Sequence, residues 1–317
     1  MPLCSICLNR EATQTGSHLL SAFMVESTIG KRGEEEGYLI NSAANFDYRN
    51  NTGAGSVIED YLFCRGCEQR MAYVENYVST EYRDKFKNPS FKNNFSDIVK
   101  DHYIIQEALN INYYAFLLFI CTVIFRISIT NKELFAQFRL TEDEEEKLRN
   151  IINEALPLYQ NFKVKIKRSQ FIREINKKSS IFEGLYFVIC SYQDLEDETK
   201  SFNMAYPIYR QPYNFIFGQS LLYFFFIRPR KNVAYLDFFQ LLPELDIELM
   251  YNGEGANVKT VILKEERWKE ILEIPKKQLV REKIPGLMSN FLSLFRKANK
   301  REPNNADWEK YVDENFK

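Results

Sequence analysis

Residues 1–18 read MPLCSICLNREATQTGSH, and residues 62–71 read LFCRGCEQRM. Cys4 and Cys7 make one Cys-x-x-Cys pair, and Cys64 and Cys67 make a second. Four of the chain's six cysteines therefore fall into two identical motifs. Such a turn aims two thiolates at one point, and two turns complete a tetrahedral site for Zn2+. The first pair suits a tight knuckle. The second opens CEQRMAYVENYVSTEYRDK (67–85), where Met71, Val74 and Val78 share a helical face. A helix N-terminus also favours thiolate. Knuckle, hairpin, then helix-borne second pair is the order of a treble-clef (ββα-metal-like) zinc subdomain. The stretch between the pairs exceeds a compact finger, and the Gly-, Asn- and Ser-rich run 31–56 fits inserted loops. A redox use of the pairs lacks the βαβ context that it requires.

The 317 residues suggest about two domains at roughly 100–200 residues each. A zinc subdomain is thus one part of a chain long enough to bury a core without metal. Twenty-six Phe and nineteen Tyr favour packed β-structure and bulky cores. The net charge of -1 gives no global basic field, so any nucleic-acid surface is local. The N-terminus shows no secretory pattern. Two apolar runs, YYAFLLFICTVIF (113–125) and FIFGQSLLYFFFI (215–227), fall short of the roughly 20 residues a membrane span needs. The expectation is a cytoplasmic protein without membrane contact, in which paired cysteines bind metal instead of forming disulfides.

Three regions are expected within an α+β chain: a zinc-binding domain at 1–88, a helical region at 96–158, and a β-rich domain with C-terminal helices at 159–317. FKNPSFKNNF (86–95) reads as a linker, with Ser96 as N-cap of a long helical region reaching about 130. Thr141 and Glu144 match a capping box, and Pro157 stops that helix. FKVKIKR (162–168) alternates as a half-buried strand. Further strands are expected at 185–192, 202–210, 214–229 and 258–265, forming an antiparallel sheet. Cys121 and Cys190 lie in apolar runs and read as core.

His18 follows the first pair in GSHLLSAF. From this point the head resembles the HNH endonuclease superfamily over roughly residues 1–80: a knuckle, a strand carrying His, a loop, and a second pair opening a helix. The resemblance implies an HNH-like domain in which His18 is the general base against a phosphodiester. It also implies a divalent ion, Mg2+ or Mn2+, held near Glu68, with Glu59, Asp60 and Glu75 as further carboxylates. The family's Asn before the second pair and its His or Asn after it are replaced here by carboxylates. The Pro that often follows the family's His is absent. The residues alone leave three roles open for His18: general base, hydrogen-bonded structural residue, or zinc ligand. The layout is also similar to bacterial proteins with a Cys-x-x-Cys, Ser-His, Cys-x-x-Cys-Glu head and an apolar helix ending in Arg, as LLFICTVIFRISI does. Association extends that reading to anti-phage defence. The alternative is a non-catalytic zinc module that binds nucleic acid or a protein partner.

KVKIKRSQFIREINKK (163–178) is strongly basic. Lys163, Lys165, Lys167 and Arg168 form a candidate nucleic-acid-binding stripe. The same tract also reads as a solvated strand face whose lysines guard an edge. No P-loop, Gly-x-Gly-x-x-Gly or Gly-x-Ser-x-Gly motif occurs, so nucleotide-driven and hydrolase-elbow chemistries have no support.

Overall fold

Cys64 ends an extended segment and opens a helix: its φ of -77° and ψ of 155° are strand-like, and the helical turns begin at the next residue. In this computed structural model the chain divides into two compact units, Met1–Glu270 and Ile271–Lys317. The structure describes residues 2–21, 23–24, 36–40, 46–50, 58–86, 88–99, 104–132, 135, 138–157, 167–192, 213–217, 220–228, 252, 257–264 and 266–268 of the first unit, and parts of 291–310 in the second.

In the first unit, strands β1 (Ser17–His18) and β4 (Ile58–Glu59) pair antiparallel, Ser17 opposite Glu59 and His18 opposite Ile58. Between them in sequence, β2 (Glu36–Ile40) and β3 (Phe46–Asn50) make a separate hairpin. Helix α1 (Arg65–Val78) then buries Cys67, Met71, Val74, Tyr77 and Val78, the face foreseen from the periodicity.

The stretch 95–108, expected to be helical from Ser96, is instead a hairpin of β5 (Phe95–Val99) and β6 (Ile104–Ala108). Ile98, Val99, Ile104 and Ile105 are β-branched and suit a pleated surface better than a helix. Helix α2 (Tyr113–Ile129) begins only at Asn112, whose side chain accepts from the Ala115 amide at 3.0 Å. All but two of its seventeen residues are buried, as an all-round apolar helix should be. Helix α3 (Glu142–Ala155) carries the foreseen capping box: Thr141 Oγ1 accepts from the Glu144 amide at 3.3 Å, and Glu144 accepts from the Thr141 amide at 3.0 Å. Its Leu148, Ile151 and Ile152 pack towards the core.

The expected strand at 162–168 does not extend through its last two residues. Lys167 is the extended N-cap of helix α4 (Arg168–Lys177), whose buried Phe171 and Ile175 stand one turn apart. The i, i+4 signal prevails there; residues 158–166 lie outside the described residues, as does the strand expected at 202–210. The rest of the unit is β7 (Tyr186–Tyr192), β8 (Tyr213–Phe217), β9 (Ser220–Phe225) and β10 (Val258–Leu263). The run 214–229, read as one strand, holds two, which pair antiparallel with each other.

These strands form a six-stranded sheet in the order β5-β6-β10-β7-β9-β8. Every pairing is antiparallel except β10 with β7, which is parallel. The sheet is therefore mixed, and draws its first hairpin from the region read as helical. Cys121 and Cys190 are both fully buried, and burial pushes both thiols up. No helix among the described residues is long and apolar enough to cross a membrane. Within the second unit, Arg301 pairs with both carboxylate oxygens of Asp307 at 2.8 Å and lies over the Phe295 ring.

Candidate metal centre and adjoining polar site

Backbone hydrogen bonds build the knuckle before any metal is considered. The Cys4 amide donates to the Arg10 carbonyl at 2.8 Å and the Leu8 amide to the Cys4 carbonyl at 3.0 Å. Leu8 closes the turn at φ 53°, in the left-handed region. The knuckle is stitched to the second pair's approach: Ser5 donates to Leu62, Gln14 to Phe63, and Tyr61 back to Gln14. Gly16, at φ +68°, turns the chain into β1 while its amide donates to Asp60 Oδ1 at 2.6 Å. Arg149 of α3 braces the knuckle from outside, donating to the Ser5 carbonyl at 3.0 Å.

This framework brings the four thiols of Cys4, Cys7, Cys64 and Cys67 within 4.8 Å of one another. Cys7 and Cys64 Sγ are 3.9 Å apart. Zn–S bonds of about 2.3 Å in a tetrahedron place sulfurs about 3.8 Å apart, so the donor set fits Zn2+. The protonation pattern argues the same way. A hydrogen bond from Cys67 holds the Cys4 thiol down at about 4, while the same contact and burial push Cys67 up. Burial pushes Cys7 up. Four sulfurs this close cannot all ionise unless a cation offsets them.

Beside the cluster, Glu68 follows Cys67 on α1, and its amide donates to the Cys64 carbonyl at 3.1 Å. Burial pushes its carboxyl up, and the negative Glu75 adds to that. The Arg126 guanidinium and His18 pull it the other way. The structure thus brings His18 and Glu68 into one neighbourhood, with His18 partly exposed. Glu68 Oε2 is buried without a hydrogen-bond partner, and so is Ser17 Oγ.

The other carboxylates suggested by the sequence are engaged. Glu59 accepts from the Thr130 hydroxyl and from the Asn131 amide at 3.2 Å, fastening β4 to the end of α2. Asp60 holds Gly16. Glu75 pairs with Arg126. Arg126 and Ser17 were not among the site residues sought in the sequence. The one signal for Arg126 was a lone charge near the end of an otherwise apolar helix, a residue type almost never fully buried unless paired.

Of the basic stripe, Lys167 and Arg168 are among the described residues. Lys163 and Lys165 lie outside them. Lys167 is exposed at the α4 N-cap. Arg168 pairs with the buried Glu81 and lies 5.2 Å over the Tyr77 ring. Comparisons with protein-family models, curated proteins and solved structures find no match to this chain.

Proposed function

We propose that the first unit carries a variant HNH-like metal-dependent nuclease site on a zinc-bound treble clef. Support for the fold reading is the sequence of parts: a knuckle with Cys4 and Cys7, the β1–β4 ribbon, and a helix opened by Cys64 and Cys67. In this reading Zn2+ is structural, held by four thiolates with no position left for substrate.

The observation that carries the catalytic reading is the state of Glu68. Glu59, Asp60 and Glu75 are all committed to other contacts, while Glu68 keeps a buried, unpartnered oxygen in the neighbourhood of His18. His18 is the general base: it takes a proton from water, whose oxygen attacks phosphorus as the bond to the leaving sugar oxygen breaks. Glu68 would hold a divalent cation, Mg2+ or Mn2+, which when bound neutralises charge developing on the phosphate. The substrate is a nucleic-acid phosphodiester, and the sequence layout suggests anti-phage defence as the setting.

The test is plasmid and single-strand cleavage by the purified protein with Mg2+ or Mn2+, beside His18→Ala. The expected result is cleavage lost in His18→Ala with zinc content unchanged. Undiminished cleavage by that variant would overturn the mechanism. A second reading, a non-catalytic module that docks a partner, draws on the exposed Leu3, Leu8 and Tyr61 around the knuckle. Nucleic-acid binding without cleavage in either metal would favour it.

A further inference from the structure

Arg126 is 1% exposed, yet it carries a full charge on a helix whose other buried residues are almost all apolar. Taking a guanidinium out of water costs several kcal/mol even after relaxation, and an apolar residue of similar size often stabilises a core better. Its contacts show what the charge does. Arg126 Nη1 donates to the His18 carbonyl at 3.0 Å and to the Glu75 carboxylate. Its guanidinium also lies 5.9 Å over the Phe63 ring, one residue before Cys64. Its Nε is buried without a partner, as are Glu68 Oε2 and Ser17 Oγ. One side chain thus reaches the strand that carries His18, the helix that carries Glu68, and the approach to the second cysteine pair.

We propose that Arg126 is the positioning residue of the site, tying the His18 backbone to Glu75 on α1 so that imidazole and free carboxylate keep one geometry. This rests on the nuclease reading above. Helix α2 becomes a working part of the head: the metal-binding fold supplies the reactive groups, and the helix behind it fixes their spacing.

The test uses the full-length, zinc-loaded chain with two readouts, Mn2+-dependent cleavage and the imidazole NMR signals. The chain has two histidines, so a His102→Gln variant identifies the His18 signal. In Arg126→Met, kcat is expected to fall by about 100-fold, the scale of an ångström-sized misplacement. KM should stay within about twofold, because the lost interaction is not a substrate contact. Zinc content holds and the His18 signal moves while that of His102 stays. Arg126→Lys restores part of kcat, since an ammonium reaches one of the two acceptors. If Arg126→Met fails to fold, the Glu75→Gln/Arg126→Met pair removes both charges together and is read in the same way. Unchanged kcat with an unmoved His18 signal overturns the proposal. If the wild-type chain cleaves nothing, the nuclease reading falls, and the His18 signal alone decides: displaced, Arg126 positions it; unmoved, the proposal is wrong.

Discussion

Arg70 donates to the Leu156 carbonyl at 2.9 Å across 86 positions of sequence. The same guanidinium takes the Asn153 carbonyl at 2.9 Å and the Pro157 carbonyl at 3.0 Å. Asn153 lies in the last turn of α3, Leu156 is its C-cap and Pro157 the residue beyond, where carbonyls run out of partners within the helix. A cation at a helix C-terminus also meets the negative end of its dipole. Arg70 therefore fastens the helix of the cysteine head to the end of a helix in the body.

Arg70→Ala is expected to destabilise the first unit by about 1.5–3 kcal/mol, the range for hydrogen bonds to a charged group. Urea unfolding checks this, with zinc content as a control. Arg70→Lys should recover only part, because one ammonium cannot span three carbonyls.

Removing the metal should act locally. A strong chelator, or Cys67→Ser, is expected to release one zinc and lower the midpoint of thermal unfolding. Metal binding in such a site is folding free energy. The buried core around α2 does not depend on the ion. Amide exchange should therefore quicken in residues 2–18 and 58–68 while α2 stays protected. Equal loss of protection in α2 would contradict this division.

Leu8 pays for its left-handed backbone without burying its side chain, which is 52% exposed. A left-handed conformation costs an L-residue about 1–2 kcal/mol, and glycine's extra chain entropy costs about 0.5–1 kcal/mol. Leu8→Gly should thus be neutral to stabilising, by up to about 1.5 kcal/mol on these figures. Denaturant titration of zinc-loaded protein decides it. A clear loss of stability would mean that the exposed leucine makes contacts which the backbone argument omits.

Burial of its phenol end pushes Tyr82 up to about 12, with the hydrogen bond to Thr260 pulling the other way. The folded value lies above that of an unfolded tyrosine. Its contribution to stability is therefore fully present below about pH 10 and is lost as pH rises towards about 12. Tyr82→Phe should remove that slope, worth up to about 3 kcal/mol once both states are fully titrated. Unfolding measured at about pH 9 and about pH 11 in both proteins gives the comparison, and parallel losses would refute it.

The parts of the fold that depend on near neighbours were legible in the sequence. Cys-x-x-Cys spacing, the Thr141–Glu144 box and the apolar face of α1 are each set within about one or two turns, where residue pattern and geometry coincide. The β5–β6 hairpin was not. Its strands are five residues each and carry Ser96, Asp97, Gln106 and Glu107, so alternation is weak, and pairing with β10 supplies what the local sequence lacks. Arg126 was hidden for the same reason. Its partners stand 51 and 108 positions away, and no local pattern names them. Only the fact of a charge in an apolar helix was visible.

The place of β10 has a consequence for how the chain is made. It lies between β6 and β7, although it is the last of the sheet's strands in sequence. Until residues 258–263 have been synthesised, β6 and β7 each lack, among the described strands, the neighbour that covers one edge. On the ribosome, at about 5–20 residues per second, the two half-sheets wait several seconds for the strand that joins them. A nascent chain stalled before Val258 would be a template for aggregation, and a holding chaperone would find its substrate there.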